Sequence, residues 1–123
     1  MADILIIDDD EMMIDIIADA LGDAGHATRS APDGPAGIAE ALRQCPDAIV
    51  LDISMPGMNG CQVAAELTAC PATRHVPIIA ATGFDDTAKW DAALEAGCTS
   101  VIAKPIVSEH LLTQVAAVLK TGR

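Results

Sequence analysis

The stretch Ala48-Ile49-Val50-Leu51-Asp52-Ile53-Ser54-Met55-Pro56-Gly57-Met58-Asn59-Gly60 sets an apolar run against a single acid and then a Pro/Gly loop. A short apolar run stopped by turn-forming residues reads as a strand buried on both faces. Its last side chain, the Asp52 carboxylate, then stands at the rim of a sheet, where a ligand can reach it. A second run, Ile4-Leu5-Ile6-Ile7, ends in Asp8-Asp9-Asp10-Glu11. Two parallel strands delivering acids to one rim build an anionic pocket that asks for a divalent cation.

Short apolar runs alternate with amphipathic stretches, the pattern of a β/α repeat around a mostly parallel sheet. Five strands are expected: Ile4 to Asp8, Ala27 to Ser30, Ala48 to Asp52, Ile78 to Thr82 and Ser100 to Ala103. Between the first two, Met12 to Ala24 places Met13, Ile16, Ile17, Ala20 and Leu21 at helical spacing, and Gly25 supplies the stop. Asp33-Gly34-Pro35 is a cap and first-turn proline for a helix through Gln44, with Ile38, Ala41 and Leu42 inward. Asn59 caps a helix over Cys61 to Ala69, and Asp85 or Asp86 caps one through Ala96 that ends at Gly97. Ser108 caps the fifth, in which Leu112, Val115, Ala116 and Leu119 share a face. Right-handed crossovers then predict an α/β, doubly wound three-layer sandwich with its functional groups at the carboxyl ends of the strands.

The 123 residues suit one domain, 1–123, with no output domain expected. Hydrophobic residues make up 51%, with one Trp and one Phe, so Ile, Leu, Val, Ala and Met must build the core. A net charge of −11 argues against direct nucleic-acid or anionic-membrane binding; it serves solubility or the steering of a protein partner. Cys45, Cys61, Cys70 and Cys98 form no C-x-x-C pair and read as buried or half-buried thiols in a reducing compartment. His26, His75 and His110 stand apart and read as surface groups. The N-terminus lacks the basic start of a signal peptide and no apolar run approaches ~18 residues, so a cytoplasmic location is expected.

Four distinct chemistries fall at strand ends: Asp8 and Asp9 follow the first, Asp52 ends the third, Thr82 ends the fourth and Lys104 follows the fifth. Taken singly, each has an ordinary explanation. Asp10 and Glu11 complement a helix dipole, a lone aspartate such as Asp52 caps a turn, a lone threonine is most often only a strand-end hydroxyl, and a lone lysine is usually solvated. Their joint arrangement is what points to chemistry. Gathered carboxylates repel unless a hard cation such as Mg²⁺ is present, and magnesium in turn binds phosphates. A carboxylate nucleophile accepts a phosphoryl group as an acyl phosphate if the equatorial oxygens are neutralised, and Lys104, Thr82 and backbone N–H groups supply the means.

In this combination the chain resembles a receiver domain of bacterial two-component response regulators, along essentially its whole length. The residues that carry the resemblance are Ile4-Leu5-Ile6-Ile7-Asp8-Asp9-Asp10, Ile49 through Gly60, Pro77-Ile78-Ile79-Ala80-Ala81-Thr82-Gly83 and Ala103-Lys104-Pro105. Chemotaxis-type single-domain receivers are similar in length. The resemblance implies a flavodoxin-like (βα)5 sandwich with strand order 2-1-3-4-5. It implies that Asp52 takes a phosphoryl group from a sensor histidine kinase or histidine phosphotransfer protein. Asp9 would bind Mg²⁺ directly and Asp8 through water, with Asp52 and the Ser54 carbonyl completing the protein's share of the shell. Thr82 and Lys104 would contact the phosphoryl oxygens, and the Lys104–Pro105 bond would be cis. Output would be contact with a downstream target protein, and the chain would catalyse only its own phosphorylation and dephosphorylation, so it is not an enzyme in the ordinary sense.

Some positions depart from the common receiver pattern. Val101 stands where many receivers carry an aromatic residue that swings inward, which shifts any signal to the backbone or to the segment 83–89. Phe84 either shields the acyl phosphate from water or packs on the next helix, and Trp90 is either an exposed partner anchor or partial core. Two other readings compete. A haloacid-dehalogenase-like phosphotransferase or phosphatase also uses a strand-end Asp-x-Asp, Mg²⁺ and a lysine. That class wants a small hydroxyl or Val where Met12 stands, and this chain is short for it. A receiver that binds its partner without phosphate is the other; the intact acids, Thr82 and Lys104 argue against it.

Overall fold

The computed structural model describes residues 2–83 and 85–121. Five strands, β1 (Asp3–Ile7), β2 (Ala27–Ala31), β3 (Ala48–Asp52), β4 (Ile78–Gly83) and β5 (Ser100–Lys104), alternate with α1 (Glu11–Asp23), α2 (Gly34–Arg43), α3 (Gly60–Ala69), α4 (Thr87–Ala96) and α5 (Ser108–Thr121). The strands form one sheet in the order β2-β1-β3-β4-β5, with every pairing parallel. This is the expected doubly wound, flavodoxin-like sandwich.

Side-chain alternation along the strands divides the core in two. Leu5, Ile7, Ile49, Leu51, Ile78 and Ala80 pack with Ala41, Val63, Leu67 and Ala93 of α2, α3 and α4. Ile4, Ile6, Val50, Ile79, Ala81 and Ile102 pack with Ile17, Leu21, Leu111 and Val115 of α1 and α5. Because β1 and β3 sit mid-sheet and are covered on both faces, they must be apolar at every core position, which is why they read as unbroken runs. Burial of each large aliphatic side chain contributes about 1.5–3 kcal/mol before the entropy of ordering is subtracted.

Helix ends follow local chemistry. The Asp10, Asp33 and Asp86 side chains accept the N–H groups of Met12, Ala36 and Lys89. Asn59 and Gln62 form a reciprocal capping box at the start of α3. Gly97 closes α4 in the left-handed region at φ +114°, a conformation that costs a side-chain-bearing residue.

Several expected boundaries and faces shift. Asp8 lies just past β1, Gly83 and Lys104 are the last residues of their strands, and α5 begins at Ser108 itself, where the Leu111 N–H reaches the Val107 carbonyl. Ser108 is therefore inside the helix and not its cap. Ile16 and Leu42, expected inward, are 46% and 51% exposed; each lies one residue along from a core position, Ile17 or Ala41, at the margin of its stripe. Ala116 likewise is exposed, while Leu111 and Val118 take the core positions of α5. The Lys104–Pro105 peptide bond is cis, as expected. No helix among the described residues is long and apolar enough to cross a membrane.

Candidate functional site

The carboxyl ends of β1, β3, β4 and β5 converge on one rim. Asp52 ends β3 and is 4% exposed. Its Oδ1 accepts the Ser54 N–H at 3.1 Å and the Lys104 ammonium at 3.0 Å. The first bond is a local Asx-type turn that the Pro/Gly loop permits. The second reaches across one intervening strand, because β4 separates β3 from β5.

Asp8 follows β1 and is 2% exposed. Its backbone N–H donates to the Ala31 carbonyl at 3.1 Å, and its Oδ1 accepts the Asp10 N–H at 2.9 Å. Lys104 Nζ lies 3.8 Å from its Oδ2. Burial foremost, together with the charges of Asp52 and Asp9, pushes the Asp8 carboxyl up to about 6, against the opposing pull of the Asp10 N–H and Lys104. Asp9 is exposed. One oxygen each from Asp8, Asp9 and Asp52 lies within 4.8 Å of the others. A compact all-carboxylate donor set of this kind suits a hard divalent cation, which would relieve the repulsion that burial magnifies.

Thr82 is buried in β4, 2% exposed. Asp52 pairs in register with Ala81, so Thr82 lies one residue further toward the rim, beside Ala103 of β5. The parallel register thus brings Asp8, Asp9, Asp52, Thr82 and Lys104 to one place. Ser54 is exposed in the loop that follows Asp52. Its hydroxyl oxygen accepts a 2.8 Å hydrogen bond from Lys89 Nζ, a residue of α4.

Three participants escaped the sequence reading. Lys89 was one, because its contact with Ser54 joins residues 35 apart. The Gly83 carbonyl was another: it accepts the Asp86 N–H at 3.1 Å and the Trp90 indole N–H at 3.0 Å. The third is Gly60, where a Cβ would come within 2.5 Å of the Asp52 carbonyl oxygen and 2.6 Å of Ile53 Cα. A glycine directly after a helix cap was the available signal for that close approach. Trp90 is half-buried through its bond to Gly83, which removes it from the role of a simple exposed anchor. Phe84 lies outside the described residues.

Cys45, Cys61 and Cys70 carry free thiols. Cys45 is exposed rather than buried or half-buried, because the α2–β3 connection runs over the surface. The fold sets its Sγ 3.7 Å from His75 Nε2. His26 is half-buried, its Nδ1 accepting the Ala2 N–H; His75 and His110 are exposed.

Residues 4–116 match the response regulator receiver domain family. The chain is 36% identical over 114 residues to the response regulator PleD of Caulobacter vibrioides, covering 93% of this chain and 25% of that protein. It is 34% identical over 122 residues to the sensory transduction protein RegX3 of Mycobacterium tuberculosis, covering 99% of this chain and 52% of RegX3. The protein PilH of Pseudomonas aeruginosa is 34% identical over 119 residues, covering 97% of this chain and 98% of PilH. The chain thus spans a quarter to a half of the length of PleD and RegX3, and nearly all of PilH. In three dimensions it superposes on the Vibrio cholerae chemotaxis protein CheY4 with a TM-score of 0.90 at 28% identity, covering 96% of this chain and 98% of that one. The chain belongs to the response regulator receiver domain family.

Proposed function

We propose that this receiver domain is a phosphorylation switch in which Asp52 is the phosphoacceptor. The observation that carries the reading is the environment of that one carboxylate. It is buried at the end of β3, held by the Ser54 N–H and the Lys104 ammonium, and gathered with Asp8 and Asp9.

Asp8, Asp9 and Asp52, with the Ser54 carbonyl, would hold Mg²⁺, and the donor set fits that ion. When bound, magnesium neutralises charge on phosphoryl oxygens. The chain's own residues do the rest. An Asp52 carboxylate oxygen forms the new bond to phosphorus as the bond to the donor's imidazole nitrogen breaks, so the electron pair returns to the histidine. Lys104, already on Asp52, follows the charge onto a phosphoryl oxygen and offsets it. Thr82 offers its hydroxyl to another. Burial of Asp8 and Asp52 keeps these interactions in a low-dielectric setting, where they are stronger than in water.

The donor in this reading is a sensor histidine kinase or histidine phosphotransfer protein, and the output is contact with a downstream protein. The chain would act in the cytoplasm and turn over no free substrate. The match to PilH and the superposition on CheY4, each over nearly the full length of both chains, support a receiver acting by protein contact. They weigh against a haloacid-dehalogenase-like hydrolase. The retained acid cluster and Lys104 weigh against a switch that works without phosphate.

Incubation with Mg²⁺ and acetyl phosphate, followed by intact mass, tests the proposal. One phosphoryl group is expected on the wild type and none on Asp52→Asn. A wild type that remains unmodified, or a variant modified equally, overturns it.

A further inference from the structure

We propose that Lys89, held beside Asp52 by the Ser54 hydroxyl, is a second cation that contacts the phosphoryl group and prolongs the phosphorylated state. The inference rests on the reading of Asp52 as the site of phosphorylation and adds a residue from α4 to it.

Two consecutive hydrogen bonds carry it. Lys89 Nζ donates to Ser54 Oγ at 2.8 Å, and the Ser54 N–H donates to Asp52 Oδ1 at 3.1 Å. The chain of contacts thus runs from the first turn of α4 to the reacting carboxylate in two steps. Lys89 is also badly placed for its own helix. It sits three residues past the Asp86 cap, at the positive end of the helix dipole, where a cation is disfavoured by about 0.3–1 kcal/mol. Asp86 Oδ2, 3.6 Å away, offsets part of this. A lysine kept where helix electrostatics oppose it is explained by what its ammonium reaches.

Charge accounting at the rim points the same way. Three acids, Asp8, Asp9 and Asp52, face one lysine, Lys104. A phosphoryl group on Asp52 would add further negative charge there. The Lys89 side chain is 47% exposed, and its long stem leaves the ammonium free to pass from Ser54 Oγ to a phosphoryl oxygen. With Ser54, Met55, Asn59 and Cys61 it lines an open cleft beside the loop that follows Asp52. Hydrolysis requires a water oxygen to bond to phosphorus as the bond to the Asp52 oxygen breaks. Asp52 leaves as a carboxylate, and orthophosphate departs with the proton released to solvent. An ammonium held on the phosphoryl oxygens from the cleft side stabilises the state before that step and obstructs the approach of water.

The test is the decay of the phosphorylated protein by intact mass, after labelling with Mg²⁺ and acetyl phosphate and removal of the donor. Lys89→Met is expected to shorten the lifetime by about 3- to 10-fold, the scale of one ordinary solvent-exposed hydrogen bond. Lys89→Arg should restore most of it. Ser54→Ala should also shorten it, and the double variant should lose little more than Lys89→Met alone. Thermal melts of each variant establish that the folded chain is being compared. A Lys89→Met lifetime within twofold of wild type, or a longer one, overturns the proposal, and so do fully additive effects of the two substitutions. Uptake of phosphate separates the two readings. Uptake with an unchanged lifetime refutes only the role of Lys89, whereas no uptake by the wild type refutes the phosphoacceptor and this inference together.

Discussion

The indole N–H of Trp90 donates a 3.0 Å hydrogen bond to the carbonyl oxygen of Gly83, the residue that follows Thr82 in β4. The same carbonyl accepts the N–H of Asp86, the cap of α4. Any displacement of Thr82 toward a phosphoryl group is therefore felt at once by the first turn of α4. Val101, the position that is aromatic in many receivers, pairs with Ala80 and packs against the core beneath α3 and α4. The large aromatic next to the end of β4 is on α4 instead.

Trp90 is the chain's one tryptophan, so its emission reports this contact. Phosphorylation with acetyl phosphate and Mg²⁺ is expected to change the emission intensity or wavelength in wild type and not in Asp52→Asn. Trp90→Phe should keep phosphoryl uptake while losing about 0.5–1.5 kcal/mol of stability from the missing hydrogen bond. Emission that is unchanged while mass shows full phosphorylation would dismiss the coupling.

Asp8 is a buried acid in a cluster of like charges, so its ionisation opposes folding. Its carboxyl is raised in the folded state to about 6 from an ordinary 3.8. The folded chain therefore holds this proton more tightly than the unfolded chain, and the metal-free protein loses stability from this group as pH rises from roughly 4 through 6. Asp8→Asn keeps an acceptor for the Asp10 N–H and removes the charge. It should be more stable than wild type at pH 7 without metal, by roughly 1–3 kcal/mol. The gain should vanish near pH 4, and Mg²⁺-dependent phosphoryl uptake should fall sharply. Denaturant melts at the two pH values check the sign.

Gly60→Ala puts a methyl group into the backbone at Asp52. The atoms it would meet, the Asp52 carbonyl oxygen and Ile53 Cα, cannot rotate away. A loss of about 2–4 kcal/mol is expected, larger than the few tenths gained from helix propensity. An unfolding midpoint equal to wild type would show that α3 slides away from β3 without cost.

Arg29 ties β2 to β1 and α2. It donates to both Asp3 carboxylate oxygens and to Glu40. Hydrogen bonds from Arg43 and Arg29 hold the Glu40 carboxyl down at about 2. A depressed carboxylate adds stability above its ordinary pKa, and that stability is lost as pH falls toward the folded value. Arg29→Met should therefore destabilise the protein at pH 7, and the difference from wild type should shrink between about pH 4.5 and 2. A deficit constant across that range would assign the effect to packing.

Much of the fold was legible because central strands of a parallel sheet must be apolar on both faces. That requirement wrote Ile4–Ile7 and Ala48–Leu51 as unbroken runs, and it made Asp8 and Asp52 conspicuous as their ends. Helix caps were legible for an equally local reason: Asp33, Asn59 and Asp86 satisfy N–H groups only three residues away. Helix faces were read less well. Ile16, Leu42 and Ala116 lie beside core positions, and which edge of a stripe turns to solvent depends on how neighbouring helices crowd it.

The amino-acid sequence alone determined the βα alternation, the mid-sheet strands and the strand-end placement of Asp8, Asp9, Asp52, Thr82 and Lys104. Those properties follow from periodicity and from chemistry within a few residues. Only the tertiary structure decided that Lys104 rests on Asp52 Oδ1, that Lys89 reaches Ser54, that Trp90 holds Gly83 and that Gly60 must lack a side chain. Each of these depends on register between strands or on the distance between a helix and a loop remote in the chain. Such distances are set by packing, which no local pattern of residues encodes.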